Sequence, residues 1–363
     1  MQEPLIQAWE SLIKNREVES KWDIMDLARD LSPILEDHHQ IRQILQARHA
    51  YCGGFTVPQS LDFGMHFASR ALTAGIETAL TEIDEFIHAT HLDLQKVVTL
   101  VDTTAAVAFT FRNDVSIIRA QDVSPSLLAR QLDEQSWGLF SENMVFAVLA
   151  RPYRVEKSML PLNVEPEKTP PAFSEDDDFT WTRLAISLIA PGGAPELFRQ
   201  VSVPDRYGFL QRVFQRYLRM DLSPRPTYLE ATDLTSIDQI IGEIDSFDEG
   251  QRPRLLILLH QFHRARLAFN QVQKAIHLRI CIENMFVQDG EKEQLAAKVK
   301  FRGAPFLDVS KTAMERIYDN LSSAVHRGQL RSGTRDRPHE IEAFVQTAIC
   351  QILEKGTYPN WSE

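Results

Sequence analysis

The stretch that decides the fold is residues 271–287, QVQKAIHLRICIENMFV. Apolar residues recur there at steps of three and four on two neighbouring faces, which predicts a helix from about Val272 to Phe286 that is apolar nearly all round. Such a helix occupies the centre of a helical bundle. Glu283 is the exception, because a carboxylate on a buried face is costly unless it is paired or hydrogen-bonded. Arg279 and Arg302 are candidates for the cation that pairs with it.

Similar apolar patterns flank this central helix on both sides. They predict three further helices: residues 254–269, residues 291–301 (ended by the turn signals at 303–305), and a last long helix from Ser310 or Thr312 to Gly328. We therefore predict an all-α bundle over residues 253–356.

The last of these helices carries a polar line. Tyr318, Ser322 and His326 recur at steps of four, so they lie on one side of the helix, beside an apolar stripe that includes Leu321. The basic residues that follow (Arg327, Arg331, Arg335 and Arg337) are interpreted either as a contact to RNA or nucleotide phosphate or as a solvated loop.

Several segments of this bundle, in order, resemble the HEPN domain, specifically its ApeA-like and abortive-infection group. The family's central helix carries an acidic residue inside an apolar run, to which residues 281–286, CIENMF, are similar. The family's next helix has the approximate pattern E-x-L-x-x-K-x-x-x-R, to which residues 293–302 are similar, ending at Arg302. Its last motif, approximately Y-D-L-R-S-K-x-V-H-G, aligns without gaps with Tyr318 through His326.

Two positions depart from that last motif. Leu321 stands where the family has the arginine of its R-x4-6-H motif, and Arg327 stands where it has the glycine, with Gly328 one place later. Leucine can neither brace a phosphate nor carry a charge. Arg327 is the candidate substitute, although adjacent helical residues point about 100° apart.

The resemblance implies a homodimer through the bundle, in which arginine and histidine face each other across a cleft and cleave RNA without metal or cofactor. We assign His326 to catalysis, with Arg327 as the substitute phosphate contact, and Tyr318, Ser322, Glu283, Arg302 and the basic Arg331 to binding or support. The function expected is a prokaryotic defence or stress protein that binds or cleaves RNA. The alternative is a non-catalytic dimerisation or ligand-sensing module that binds a protein partner.

His326 thus has three interpretations. It is the catalytic base of a ribonuclease, or part of a binding or dimer surface, or a helix-end histidine that interacts with the last carbonyl groups.

The chain before the bundle has a different pattern, and we predict an α+β fold with a mixed region over residues 1–222. Its first 90 residues show helical periodicity, and residues 94–190 are rich in β-branched and aromatic runs. The elements predicted there are strands at 96–101, 107–111, 115–118, 144–150, 153–155 and 179–189, helices at 124–132 and 206–220, and a loop at 163–178. Residues 223–252 are predicted to be a linker with one short helix.

Composition limits the classes of function. The net charge of −11 argues against a generally basic surface for DNA or anionic membranes, but allows a local basic site. The three cysteines lack metal-ligand spacing, and the histidine pairs 38/39, 88/91 and 260/263 lack a third ligand by spacing, so no metal site is predicted. No signal peptide and no transmembrane helix are expected, which predicts a cytoplasmic protein.

Overall fold

The structure, a computed structural model, describes residues 3–14, 16–51, 54–123, 146–165, 171–213, 217–218, 221–288, 290–291, 293–330 and 338–361. It confirms the α+β class, with 59% of residues in helices and 16% in strands. Helices dominate both ends of the chain and a sheet lies in the middle. The predicted helix at 124–132 falls outside the described residues.

The N-terminal region is helical, as its periodicity predicts. Its helices are α1 (Glu3–Ile13), α2 (Lys21–Asp37), α3 (His39–Leu45), α4 (Ser60–Ala74) and α5 (Ile76–His88). Helix α2 begins with a capping box, in which the Ser20 side chain accepts a hydrogen bond from the Asp23 backbone and the Asp23 carboxylate accepts one from the Ser20 backbone.

A six-stranded sheet follows these helices, in the order β10-β9-β3-β7-β6-β5. All its neighbouring strands pair antiparallel. The strands of the chain are β1 (Ala47–Tyr51), β2 (Gly54–Thr56), β3 (His91–Val101), β4 (Thr103–Ala105), β5 (Phe109–Thr110), β6 (Ser116–Arg119), β7 (Phe146–Glu156), β8 (Met159–Pro161), β9 (Glu196–Ser202), β10 (Tyr217–Leu218) and β11 (Thr227–Leu229). Strands β2, β1 and β8 form a separate sheet.

Strand β7 was predicted as two strands around Arg151-Pro152, but it is continuous. Its first half pairs with both β3 and β6, whereas the part after Ala150 pairs with β3 alone. Pro152 therefore lies where one side of the strand is an edge, and there the missing N–H group of proline is tolerated.

The prediction of a strand at 179–189 was wrong, because this segment is helix α6 (Asp178–Ile189). The Asp177 side chain caps it by accepting a hydrogen bond from the Thr180 backbone N–H at 2.8 Å. Every residue from Thr182 to Leu188 is buried, including Arg183 and Ser187, so this part of the helix has no solvent-exposed face. A short segment that is buried on all sides has no periodicity that separates a helix from a strand.

The predicted helix at 206–220 was also wrong. A 3-10 helical stretch, Asp205–Val213, is interrupted at Tyr207, which has non-helical backbone angles, and Tyr217–Leu218 then forms strand β10. The short helix predicted between residues 223 and 252 is confirmed as α7 (Ala231–Asp245).

The C-terminal part is helical, as predicted. It contains α8 (Arg252–Leu267), α9 (Gln271–Phe286), α10 (Leu295–Phe306), α11 (Lys311–Arg327) and α12 (Pro338–Lys355). The predicted bounds of α10 were wrong, since it begins four residues later and continues through Gly303-Ala304-Pro305. Gly303 brings α10 close to α11, because a Cβ atom there would lie 2.7 Å from Met314 Cε.

Both ends of α11 have defined caps. The Ser310 side chain accepts a hydrogen bond from the Ala313 backbone N–H at 3.1 Å, so Ser310 rather than Thr312 begins the helix. Gly328 ends it with a φ of 64°, in the left-handed region that favours glycine.

The end of α9 is fixed by side chains from three other segments. Arg254 donates to the carbonyl oxygens of Asn284 and Val287. Arg302 donates to that of Phe286 at 2.9 Å, and the Trp361 indole donates to that of Met285 at 3.1 Å. These bonds satisfy the C-terminal carbonyl groups of the helix, which have no partner within it.

A buried ionic cluster joins the sheet to the helices. Glu196, on β9, pairs with both Arg183 of α6 and Arg199 of β9, and each of the three is at most 3% exposed. Arg183 also contacts His263 of α8 at 3.3 Å, which extends the cluster into the bundle.

The region from 223 to 252, predicted to be a linker, also packs against the rest of the structure. Its strand β11 pairs in parallel with β4.

We predict that Glu196→Ala lowers the free energy of unfolding by about 3–5 kcal/mol, because it leaves two buried guanidinium groups without their shared carboxylate. Chemical denaturation followed by circular dichroism measures the change. Glu175→Ala, at an exposed loop position, is the control and should have no effect. A loss no larger than that of the control would contradict the structural role of the cluster.

Candidate functional site

The candidate site lies at the seam between α9 and α11, and Glu283 is its centre. Glu283 Oε1 accepts a hydrogen bond from the Tyr318 hydroxyl at 2.7 Å and one from Arg279 Nε at 2.9 Å. Arg279 and Glu283 are four residues apart on α9, so their side chains lie on the same face. The Glu283 carboxylate therefore has the cation that burial was expected to require, which is Arg279. It also has a neutral donor, Tyr318, from the neighbouring helix.

Arg279 connects this carboxylate to His326. Its Nη1 lies 3.3 Å from His326 Nε2, and its Nη2 donates to the Tyr318 hydroxyl at 3.4 Å. A guanidinium can only donate, so in a hydrogen bond between these two side chains Nε2 is the acceptor. The structure thus places an arginine and a histidine side by side, although they are 47 residues apart in sequence.

Exposure changes across the cluster. The Arg279 side chain is 11% exposed and that of Glu283 27%, whereas His326, at the end of α11, is exposed to solvent. Arg279 and Glu283 are thus largely buried, whereas the His326 side chain is open to solvent. The guanidinium connects the two environments.

The protonation states are consistent with these contacts. Burial, followed by the hydrogen bond to Glu283, raises the pKa of Tyr318 to about 12, so the phenol remains a donor at neutral pH. Burial opposes the charge on Arg279, but the hydrogen bond and the charge of Glu283 outweigh it and raise the pKa of the guanidinium above its ordinary value. Both donors to Glu283 are therefore permanent in the physiological range.

The structure brings some of the predicted residues together and separates others. Glu283, Tyr318 and His326 form one cluster, and Ser322 lies half-buried between Tyr318 and His326 on the same side of α11. Arg327, the predicted substitute for the family arginine, is exposed at the last position of α11. Arg331, Arg335 and Arg337 lie outside the described residues.

Arg302 does not pair with Glu283. It forms a bidentate pair with Glu291, at 2.6 and 3.0 Å, beside its bond to the Phe286 carbonyl oxygen. That arginine, with help from the Gln288 backbone, lowers the pKa of Glu291 to about 2. Arg302 therefore joins Glu291 to the C-terminal end of α9.

Arg279 is the residue whose role sequence reasoning missed. Its spacing of four from Glu283 marked it as a possible ion-pair partner, but nothing local marked it as a neighbour of His326. Leu321, at the position where an arginine was expected, is fully buried in the core. The guanidinium that lies beside His326 comes from α9.

The charge of the chain is divided unevenly between its two ends. Residues 252–330 contain 13 lysines and arginines against 7 acidic residues, whereas residues 1–90 contain 7 against 14. The net charge of −11 for the whole chain therefore hides a bundle with a positive balance. A local excess of cations attracts polyanions even when the whole protein is acidic.

The described part of the chain lacks two further classes of feature, a metal cluster and a membrane-spanning helix. No group of three or more histidine, cysteine, aspartate or glutamate side chains within it is arranged to hold a metal ion. Likewise, none of its helices is both long enough and apolar enough to cross a bilayer.

Comparison with known proteins gave no match to any family model, curated protein or solved structure.

We predict that Tyr318→Phe lowers the free energy of unfolding by about 1 kcal/mol at pH 7, because it removes one hydrogen bond to a half-buried carboxylate. The folded-state pKa of Tyr318 is raised from 10.0 to about 12, so this stabilisation is complete below pH 10 and is lost as the pH rises through 12. Denaturant titrations of both proteins at pH 7, 10 and 11.5 measure the difference. Tyr228→Phe, at a 57% exposed side chain, is the control. A constant difference across that pH range would contradict the assignment.

Proposed function

We propose that this protein is a HEPN-like RNA-binding protein with a metal-independent endoribonuclease site at Arg279 and His326. The observation that carries the proposal is the 3.3 Å contact between these two side chains, held on one side by Glu283 and Tyr318 and open to solvent on the other. Together they supply the two chemical groups that the resemblance implies, with the arginine coming from α9 instead of α11.

Each group has a distinct role with an RNA phosphodiester. The guanidinium of Arg279 has donors in a planar fork and a charge that does not titrate near neutral pH, which suits it to bind the phosphate oxygens. When a phosphate takes up Nη1, the Nε2 lone pair of His326 is released. A neutral imidazole in that position accepts the proton of the ribose 2′-hydroxyl.

The reaction that follows is a transesterification. The 2′ oxygen attacks phosphorus, the bond from phosphorus to the 5′ oxygen breaks, and the products are a 2′,3′-cyclic phosphate and a 5′-hydroxyl. The leaving oxygen needs a proton, which the imidazolium form of a second histidine supplies. In a homodimer through the bundle, the same histidine of a second copy fills that role.

The surface beside His326 is compatible with such a dimer. Val325, on the neighbouring position of α11, is 43% exposed, and α11 is strongly amphipathic. The positive balance of residues 252–330 favours an RNA ligand. The resemblance to the abortive-infection group favours a role in prokaryotic defence, with the protein in the cytoplasm.

A second candidate function is a non-catalytic HEPN-like module for dimerisation or ligand sensing. The contact between Arg279 and His326 also favours this alternative. In that contact Arg279 Nη1 faces the Nε2 lone pair of His326, which a general base needs to accept a proton. In this alternative the cluster binds an anion or stabilises the interface with a protein partner, and no bond is broken.

The test is cleavage of a mixed single-stranded RNA pool in EDTA by the purified protein. We expect His326→Ala and Arg279→Gln each to reduce the cleavage rate at least about 100-fold, the scale of a lost acid–base group. The products should carry cyclic phosphates, and an all-DNA pool should remain intact. The matched controls are His339→Ala and Arg29→Gln, at exposed positions away from the cluster, which should cleave like the wild type.

Binding separates the two candidate functions. RNA bound with Arg279-dependent affinity but never cleaved would favour the non-catalytic module. Cleavage that persists in both site variants, with folding intact, would overturn the assignment of the site. Neither binding nor cleavage in a dimeric, folded protein would contradict the proposal of an RNA ligand.

A further inference from the structure

A polar cavity lies at the end of the bundle where α8 begins and α12 ends. Its volume is about 600 Å³. It is lined by residues 250–251 before α8, by Gln288 after α9 and by residues 357–360 after α12, together with the side chains of Arg254 and Lys355. A cavity of this volume accommodates a small organic molecule.

The charged side chains in this lining are both cations, Arg254 of α8 and Lys355 at the end of α12. Neither pairs with a carboxylate among the described residues. Arg254 donates to carbonyl oxygens at the end of α9, and the Lys355 ammonium lies 4.4 Å from the centre of the Phe306 ring. Asp248, just before the lining segment, directs its carboxylate to the Gln251 backbone N–H at 3.0 Å. Two positive charges that face one cavity attract a negatively charged ligand.

The lining also has hydrogen-bond donors that remain for a ligand. Gln251 Oε1 accepts hydrogen bonds from the Tyr358 backbone N–H at 2.8 Å and from the Thr357 hydroxyl at 3.2 Å, so its amide is oriented and the Nε2 group remains. Arg254 uses Nε and Nη2 for the carbonyl oxygens of α9, so Nη1 remains. Both nitrogens lack a bonded partner among the described residues, and both are accessible to solvent. The Arg254 guanidinium is held in place by the Tyr358 ring, 4.3 Å away.

The number of donors and charges selects the class of anion. Nη1 of Arg254, Nε2 of Gln251 and Nζ of Lys355 supply three separate donor groups and two positive charges. A phosphate monoester has three acceptor oxygens and a charge of about −1.5 to −2 at pH 7, so it matches both numbers. A carboxylate has two oxygens and a single charge, so it leaves one donor and one cation without a partner.

We propose that this cavity binds a small organic phosphate monoester, with the phosphate oxygens bonded to Arg254, Gln251 and Lys355 and the organic group in the rest of the cavity. The site is independent of the proposed ribonuclease site, because neither Arg279 nor His326 is part of its lining. It gives the bundle a second ligand-binding role.

The test uses phenyl phosphate and phenyl sulfate, which share the phenyl ring and the three terminal oxygens and differ in charge. Binding to the full-length protein at pH 7.5 and low ionic strength is measured by calorimetry. We expect phenyl phosphate to bind at least about tenfold more tightly than phenyl sulfate, because its second negative charge meets the second cation. Equal affinities, or no binding of phenyl phosphate, would overturn the proposal.

Two variants locate the ligand. Gln251→Glu keeps the oxygen that accepts from residues 357–358 and replaces the free donor with a negative charge, and Lys355→Gln removes one cation at an exposed position. Each should weaken phenyl phosphate binding at least about tenfold. The controls make the same chemical changes at exposed positions elsewhere, as Gln7→Glu and Lys14→Gln, and should bind like the wild type.

Circular dichroism of the ligand-free variants shows that they fold, and Lys355→Gln alone decides if Gln251→Glu does not. Folded variants that bind phenyl phosphate like the wild type would overturn the proposal. Loss of RNA binding with unchanged phenyl phosphate affinity would assign the two cations to RNA instead, and would overturn it as well. His326→Ala should bind phenyl phosphate normally, which keeps this test separate from that of the ribonuclease site.

Discussion

The structure around the candidate site depends on the Glu283 carboxylate, which lies at the seam between two packed helices. A carboxylate in that position is tolerated only because Tyr318 and Arg279 both donate to it. The bond from Tyr318 joins α11 to α9, whereas the bond from Arg279 lies within α9. They also direct the rest of the Arg279 guanidinium toward His326, so one requirement of folding determines the geometry of the site.

The remainder of the bundle holds α9 so that this geometry is kept. Side chains from α8, from α10 and from the segment after α12 bond to the last carbonyl groups of α9, through Arg254, Arg302 and Trp361. The buried cluster of Arg183, Glu196 and Arg199 continues the ionic contacts toward the sheet. Most polar groups in the described part of the interior thus have hydrogen-bond partners.

The sequence predicted what depends on periodicity and on the cost of burying charge. Residue spacing predicted the helices around Glu283 and the side of α11 that carries Tyr318, Ser322 and His326. The cost of burying a carboxylate predicted that Glu283 needs a cation. The strand predicted at 179–189 was wrong because a helix buried on all sides has no solvent-exposed face to reveal its period. The contact between Arg279 and His326 depends on how α9 and α11 pack, which no local pattern encodes.

The most direct test of the account is an NMR titration of the protein with ¹⁵N-labelled histidine and arginine side chains. The titrant is a short RNA whose 2′-hydroxyls are methylated, so that it binds without being cleaved. We expect the Arg279 guanidinium and His326 imidazole signals to shift together with one dissociation constant, while the exposed His339 signal stays constant. Binding that leaves the Arg279 and His326 signals unchanged would contradict this expectation.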